Sequence, residues 1–165
     1  MELNSIMRVD LLEKELTRLL SWISSVETRI RLVLPLSMAM LGVLAVLTPA
    51  YSSWAILPAI MSAFSVLFLM LSVACAALAS FPRTLGPKGS IIYFGGIASM
   101  ELEQYRDAVK KLTTEEYLED LIKQCHRNAQ IAERKFVWIQ RALGCVFLAT
   151  TPWAISVYLL YSVKS

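Results

Sequence analysis

The sequence is nearly bare of the residues that catalysis uses. It has one histidine, His126, and three cysteines, Cys75, Cys125 and Cys145. No CxxC pair and no Cys/His cluster occurs, which argues against a zinc site and a disulfide framework. The cysteines read as small apolar side chains. His126 has no nucleophile, paired carboxylates or second histidine at useful spacing, so it reads as a solvated helix residue. No catalytic residue and no metal ligand is expected, and the chain is read as no enzyme. The net charge of +3 is mild. No basic stripe with interleaved aromatics appears, so nucleic acid is not an expected partner.

Charge itself is missing from two long stretches. Positions 32–82 hold no Asp, Glu, Lys, Arg or His, and neither do positions 142–163. A bilayer core about 30 Å thick takes roughly 20 helical residues to cross. The first stretch is long enough for two crossings and the second for one. The absence of ionisable residues argues against a proton relay or an ion-coupled carrier, which place such a group near the midplane. The first 31 residues are charged and lack a short apolar core with a small-residue cleavage site, so the first apolar run reads as a permanent anchor.

The expected fold is an all-α membrane protein. It has three transmembrane helices, an N-terminal amphipathic helix and a long cytosolic helix continuous with the third span. Residues 1–31 form the amphipathic helix. Residues 32–80 form a two-span hairpin, the spans covering about 32–48 and 55–79. Residues 81–141 hold a cytosolic loop and helices, and 142–163 the last span. Tyr51 and Trp54 suit the interface at the hairpin turn. Pro35, Pro58 and Pro152 fall in the spans, Pro35 and Pro58 near their starts, where a lost helix hydrogen bond costs less.

Orientation follows from basic residues. The N-terminal region to Arg31 has five, residues 83–141 have ten, and the link between the first two spans has none. The N-terminus and the middle segment are therefore placed in the cytosol.

Two apolar seams stand out. Val9, Leu12, Leu16, Leu19, Ile23, Val26 and Ile30 alternate steps of three and four, the repeat of a coiled coil. A later seam runs through Leu118, Leu121, Cys125, Asn128, Ala132, Phe136, Ile139 and Leu143, with a stutter at Ala132. The two helices are expected to pair, within one chain or between chains. Asn128 either fixes register in the seam or sits at its edge in water. Before this helix, Thr113 and Glu116 have capping-box spacing, so the helix is expected to start at Thr114 and continue into the third span. A shorter helix is expected over about 101–111. Glu115, Glu116, Glu119 and Asp120 read as a solvated helix start.

The segment 83–100 is a glycine-rich loop. It lacks the GxxxxGK[ST] pattern of a P-loop. Gly86-Pro87-Lys88-Gly89 suits either of two roles. One is a tight turn returning the chain to the membrane surface. The other is a phosphate cradle, with Arg83 and Lys88 as the charges and Tyr93 or Phe94 stacking on a base.

The order of these parts resembles the transmembrane effectors of bacterial Pycsar antiphage systems. The resemblance is carried by Phe81-Pro82-Arg83 after the hairpin, Ser90-Ile91-Ile92-Tyr93-Phe94-Gly95-Gly96-Ile97, Glu103-Gln104-Tyr105, Tyr117-Leu118-Glu119-Asp120-Leu121-Ile122, and Asn128-Ala129-Gln130-Ile131-Ala132-Glu133-Arg134-Lys135. It covers nearly the whole chain. It implies a neighbouring pyrimidine nucleotide cyclase that makes cCMP or cUMP on infection. The effector then responds to that ligand and impairs the bacterial inner membrane, causing abortive infection. No cofactor is implied; the partners are the lipid bilayer, the cyclase and further copies of the chain in a homo-oligomer. Some relatives carry a lysine-containing pattern before the first span; here the place reads Thr28-Arg29-Ile30-Arg31, and no role is transferred to it. The competing reading is a non-enzymatic membrane scaffold that recruits a partner through its coiled seam.

Overall fold

In the computed structural model, residues 4–49, 55–81 and 89–164 are described. They form helices α1 (Ser5–Leu47), α2 (Ile56–Ser80), α3 (Phe94–Ala98), α4 (Leu102–Lys111) and α5 (Thr114–Lys164), with no strand among them. Helices α1, α2 and α5 are each long and apolar enough to span a membrane. The chain is a multi-pass, all-α membrane protein. The expected interface residues Tyr51 and Trp54 lie outside the described residues.

The N-terminal amphipathic segment and the first span form one continuous helix. The reason is a seam that never changes phase. Beyond Ile30 it continues through Val33, Ser37, Met40, Leu44 and Leu47, still in alternating steps of three and four. Ile30, Val33, Ser37, Met40 and Leu44 are all buried. Pro35, near the start of the uncharged stretch, therefore lies in the interior of α1. It withholds one N–H from the carbonyl of Arg31, but it faces away from the buried seam, where its ring displaces nothing. Pro58 is the third residue of α2, where its missing N–H would have had no intrahelical partner.

The seam of α5 also differs from expectation. There is no stutter: Ala132, Lys135, Ile139, Ala142, Val146 and Ala149 are buried in unbroken three-four alternation. Phe136 and Leu143 flank this line. A lysine in an apolar seam is legible only once its partner is known. Lys135 Nζ donates to Glu27 Oε1 at 2.8 Å while the lysine stem fills the seam.

The chain divides into two compact units, Met1–Ser25 with Pro82–Arg134, and Val26–Phe81 with Lys135–Ser165. In the first, α1 lies along the start of α5. Tyr117 Oη donates to Glu13 Oε1 at 2.7 Å and Cys125 Sγ to the carbonyl of Leu12 at 3.5 Å. The two seams thus meet within one chain. Among the described residues Asn128 makes no hydrogen bond across the pair; its Nδ2 donates to the carbonyl of Gln124 on its own helix.

The second unit is a three-helix bundle. One end of its core joins Val26, Ile30, Val33, Ala76, Ala79, Ile139, Ala142 and Val146. The other joins Met40, Leu44, Leu69, Ala149 and Leu160. The order of these residues makes α1 and α5 parallel and α2 antiparallel to both. Helix α2 buries Pro58, Ser62, Ser65, Leu69, Ser72, Ala76 and Ala79, a third seam at heptad spacing made mostly of small residues. Small residues let backbones approach closely where lipid gives no hydrophobic drive for association. Ser37 donates to the carbonyl of Val33 at 2.9 Å, so Ser72 supplies the proton in the 3.1 Å contact between their hydroxyls. Trp153 Nε1 donates to the carbonyl of Met40 at 3.0 Å.

Candidate functional site

The first unit carries a cavity built from three pieces of chain. The loop at Gly89, Ser90 and Ile91 forms one wall, the end of α4 at Ala108 and Lys111 a second, and the first turns of α5 the third. Its volume is about 600 Å³, within the range of small-molecule sites.

The capping box fixes the α5 wall. Thr113 N donates to Glu116 Oε2 at 2.9 Å, and Glu116 N donates back to Thr113 Oγ1 at 3.3 Å. The backbone N–H of Thr113 and then its hydroxyl hold the Glu116 carboxyl below the usual carboxylate range. The hydrogen bond to Glu13, followed by burial and the charges of Glu13 and Asp120, pushes Tyr117 up to about 12. Only Leu112 and Thr113 separate α4 from α5, so the two helices turn sharply on one another.

The loop wall is fixed by Asp120. Its Oδ2 accepts from Ser90 Oγ at 2.9 Å and from Ile91 N at 3.0 Å. Ser90 is 3% exposed, and its hydroxyl oxygen also accepts from Gln124 Nε2 and Tyr93 N, each at 2.9 Å. The acidic run is thus not simply solvated: Asp120 is the anchor of the loop and Glu116 the cap of the helix. Helix α3 packs against the same anchor. A Cβ on Gly96 would stand 2.1 Å from the carbonyl oxygen of Ser90, so only glycine allows this approach. Sequence reasoning missed α3 because its five residues include two glycines.

Among the sequence-predicted residues, Arg83 and Lys88 lie outside the described residues. Tyr93 and Phe94 are described and adjacent, with ring centroids 4.6 Å apart. They stand at the start of α3 and do not line the cavity. Phe94 is 64% exposed. The cavity's lysines, Lys111 and Lys123, were not singled out from sequence. Lys123 Nζ is 3.3 Å from Glu119 Oε1. Lys111 has no ion-pair partner among the described residues, and neither has Glu115. The lining thus brings together two lysines and four carboxylates, with Lys111 uncommitted. Among the described residues, no group of three or more His, Cys, Asp or Glu side chains is placed to hold a metal. His126 is exposed, its Nε2 3.0 Å from Gln130 Nε2.

A family model described as the Pycsar effector protein domain matches residues 11–162, nearly the whole chain. The chain belongs to this family. It is therefore an effector of antiphage defence. The matched span takes in the walls of the cavity and all three membrane-crossing helices. No curated protein and no solved structure matches the chain.

Proposed function

We propose that this Pycsar effector responds to a cyclic pyrimidine mononucleotide, cCMP or cUMP, and then impairs the inner membrane as a non-enzymatic homo-oligomer, causing abortive infection. A pyrimidine nucleotide cyclase is its functional partner. The cavity supports the reading most. Lys111, which has no ion-pair partner among the described residues, supplies charge for the cyclic phosphate. The carboxylate of Glu115 accepts from the donor groups of a pyrimidine edge. Arg83 and Lys88 precede the loop wall in sequence and add charge to the same segment. The ring of Phe94, with Tyr93 beside it, offers a stacking face.

Helix α5 runs from this cavity wall into the membrane-spanning unit. A ligand biases such a system only through different affinities for its resting and active states. The basic residues of the N-terminal region and of the middle segment support a cytosolic side for both. The scaffold reading has less support, because the seams it would offer a partner meet within one chain.

Calorimetry on the detergent-purified chain with cCMP, cUMP and cAMP tests the ligand. Lys111→Met is expected to weaken binding by about tenfold, the scale of one charge-assisted contact. Dye release from liposomes, with and without each nucleotide, tests the consequence. Release that ignores every nucleotide sinks the proposal.

A further inference from the structure

The net charge of the chain is gathered in one narrow band. Positions 26–31 and 135–141 hold Arg29, Arg31, Lys135 and Arg141 against the single carboxylate of Glu27, a balance of +3. That equals the formal net charge of the whole chain, so the remaining residues balance to zero. The band is also where charge stops. Arg31 is the last charged residue before the first uncharged stretch, and Arg141 the last before the second. At the far end of the spans, the link between the first two carries no charge, and only Lys164 follows the third.

Lys135 donates to Glu27 at 2.8 Å, which cancels one cation and takes the band's carboxylate out of competition. The charge that remains is that of the three arginines. All three are exposed. Among the described residues they make no ion pair and no hydrogen bond. Two of them lie over rings. The guanidinium of Arg141 is 4.8 Å from the ring centroid of Trp138, and that of Arg29 is 5.8 Å from that of Phe136. Both rings are half-buried and pack against the bundle core, so they are fixed platforms. A guanidinium stacked on a ring keeps its N–H edges free. Phe136 and Trp138 are two residues apart on one helix, so they point about 200° apart around it and make separate platforms. Helices α1 and α5 are parallel, and Ile30 and Ile139 share one core cluster. Arg29 and Arg31 flank the first and Arg141 follows the second by two residues, so the three stand within about one helical turn of one level. That level is the edge of the uncharged bundle, where the polar headgroups of a bilayer begin.

We infer that Arg29, Arg31 and Arg141 form a collar that binds the phosphates of lipids with net anionic headgroups, one lipid at the Arg29–Phe136 platform and one at the Arg141–Trp138 platform. A phosphate diester accepts two parallel N–H bonds from one guanidinium. A zwitterionic headgroup carries a cation beside the same phosphate, which the collar repels, so the collar selects headgroups without that cation. Each basic residue near an anionic surface strengthens binding by about fivefold. The depth of the collar favours a lipid phosphate over one free in water. The inference rests on the chain's membrane placement and not on its nucleotide response.

The test uses the full-length chain, delipidated in mild detergent and titrated with phosphatidylglycerol or phosphatidylcholine. Native mass spectrometry counts the bound lipids. One phosphatidylglycerol at each platform is expected, held at least about fivefold more tightly than phosphatidylcholine. Arg29→Gln and Arg141→Gln are each expected to remove one of them. Arg18 also lies over a ring, that of Trp22 at 5.8 Å, but eleven residues before Arg29, about 16 Å away along α1. Arg18→Gln is therefore expected to change nothing. Circular dichroism first establishes that each variant is as helical as the parent. Should a variant fail to fold, competition on the unchanged chain decides: phosphatidylglycerol that stays bound in millimolar inorganic phosphate supports a lipid site, and its release overturns it. Equal retention of the two lipids overturns the inference, as does a preference that survives loss of both Arg29 and Arg141. Nucleotide-dependent dye release from liposomes of phosphatidylcholine alone reads the proposed function separately, so either can fail without the other.

Discussion

Replacing Glu27 is expected to harm the chain more than replacing Lys135, although the two form one ion pair. The lysine side chain is 8% exposed and the glutamate 48%. Breaking a fully buried pair costs about 3–5 kcal/mol because it strands a charge, whereas exposed pairs contribute about 0.2–1 kcal/mol. One member here is half in solvent, so Glu27→Gln, which strands the lysine, is expected to cost about 1–2 kcal/mol. Lys135→Met keeps the stem volume in the seam and strands only a carboxylate that water already reaches. It is expected to change stability by less than about 1 kcal/mol, in either direction. The double variant is expected to resemble Lys135→Met and not the sum of the two. Thermal unfolding of the four proteins in one mild detergent measures this. Equal losses for both single variants, or a larger loss for Lys135→Met, would refute the reasoning that burial of the ammonium sets the asymmetry.

Gly96→Ala is expected to destabilise the loop by about 2 kcal/mol or more, since its Cβ meets backbone. Gly95→Ala, whose Cβ would meet only the movable ring of Tyr93, is expected to cost under about 1 kcal/mol; limited proteolysis across residues 89–100 compares them. The elevated Tyr117 pKa predicts that its contact with Glu13 is fully present below pH 10.0 and is lost as pH rises through about 12. Ultraviolet difference titration against Tyr117→Phe reads this, and Glu13→Gln is expected to bring the ionisation back toward the ordinary tyrosine value. Ser72→Ala is expected to cost about 0.6 kcal/mol, the mean for an interhelical hydrogen bond in a membrane, because Ser37 keeps its bond to Val33. Ser72→Leu at the same fully buried position is expected to cost about 1–3 kcal/mol through overpacking. Detergent unfolding curves compare the two.

The three spans were legible because uncharged length is a direct demand of the bilayer. The start of α5 at Thr114 was legible because a capping box is local, its partners three residues apart. What escaped the sequence was long-range. Lys135 was passed over as a seam residue because its charge hides its stem, and Glu27 is far away along the chain. The sequence seam was followed only to Ile30, while the same phase runs on through Val33, Ser37, Met40, Leu44 and Leu47. The role of Asp120 had no local signal, since its partner Ser90 stands thirty residues earlier. The proposed nucleotide residues were chosen for chemistry type on the loop, while the cavity draws its cations from α4 and α5.

The unbroken phase of α1 from Val9 to Leu47 behaves like a reading frame. One residue added or removed near Ile30 turns every later side chain by about 100° around the helix. Ser37, Met40 and Leu44 would then swing toward lipid, and exposed neighbours such as Leu36 and Met38 would swing toward the core. A change of seven residues restores the frame almost completely and shifts the helix only along its axis. Length changes in sevens therefore keep every later seam residue facing the core, while exchanges among apolar residues on the lipid side leave the seam untouched.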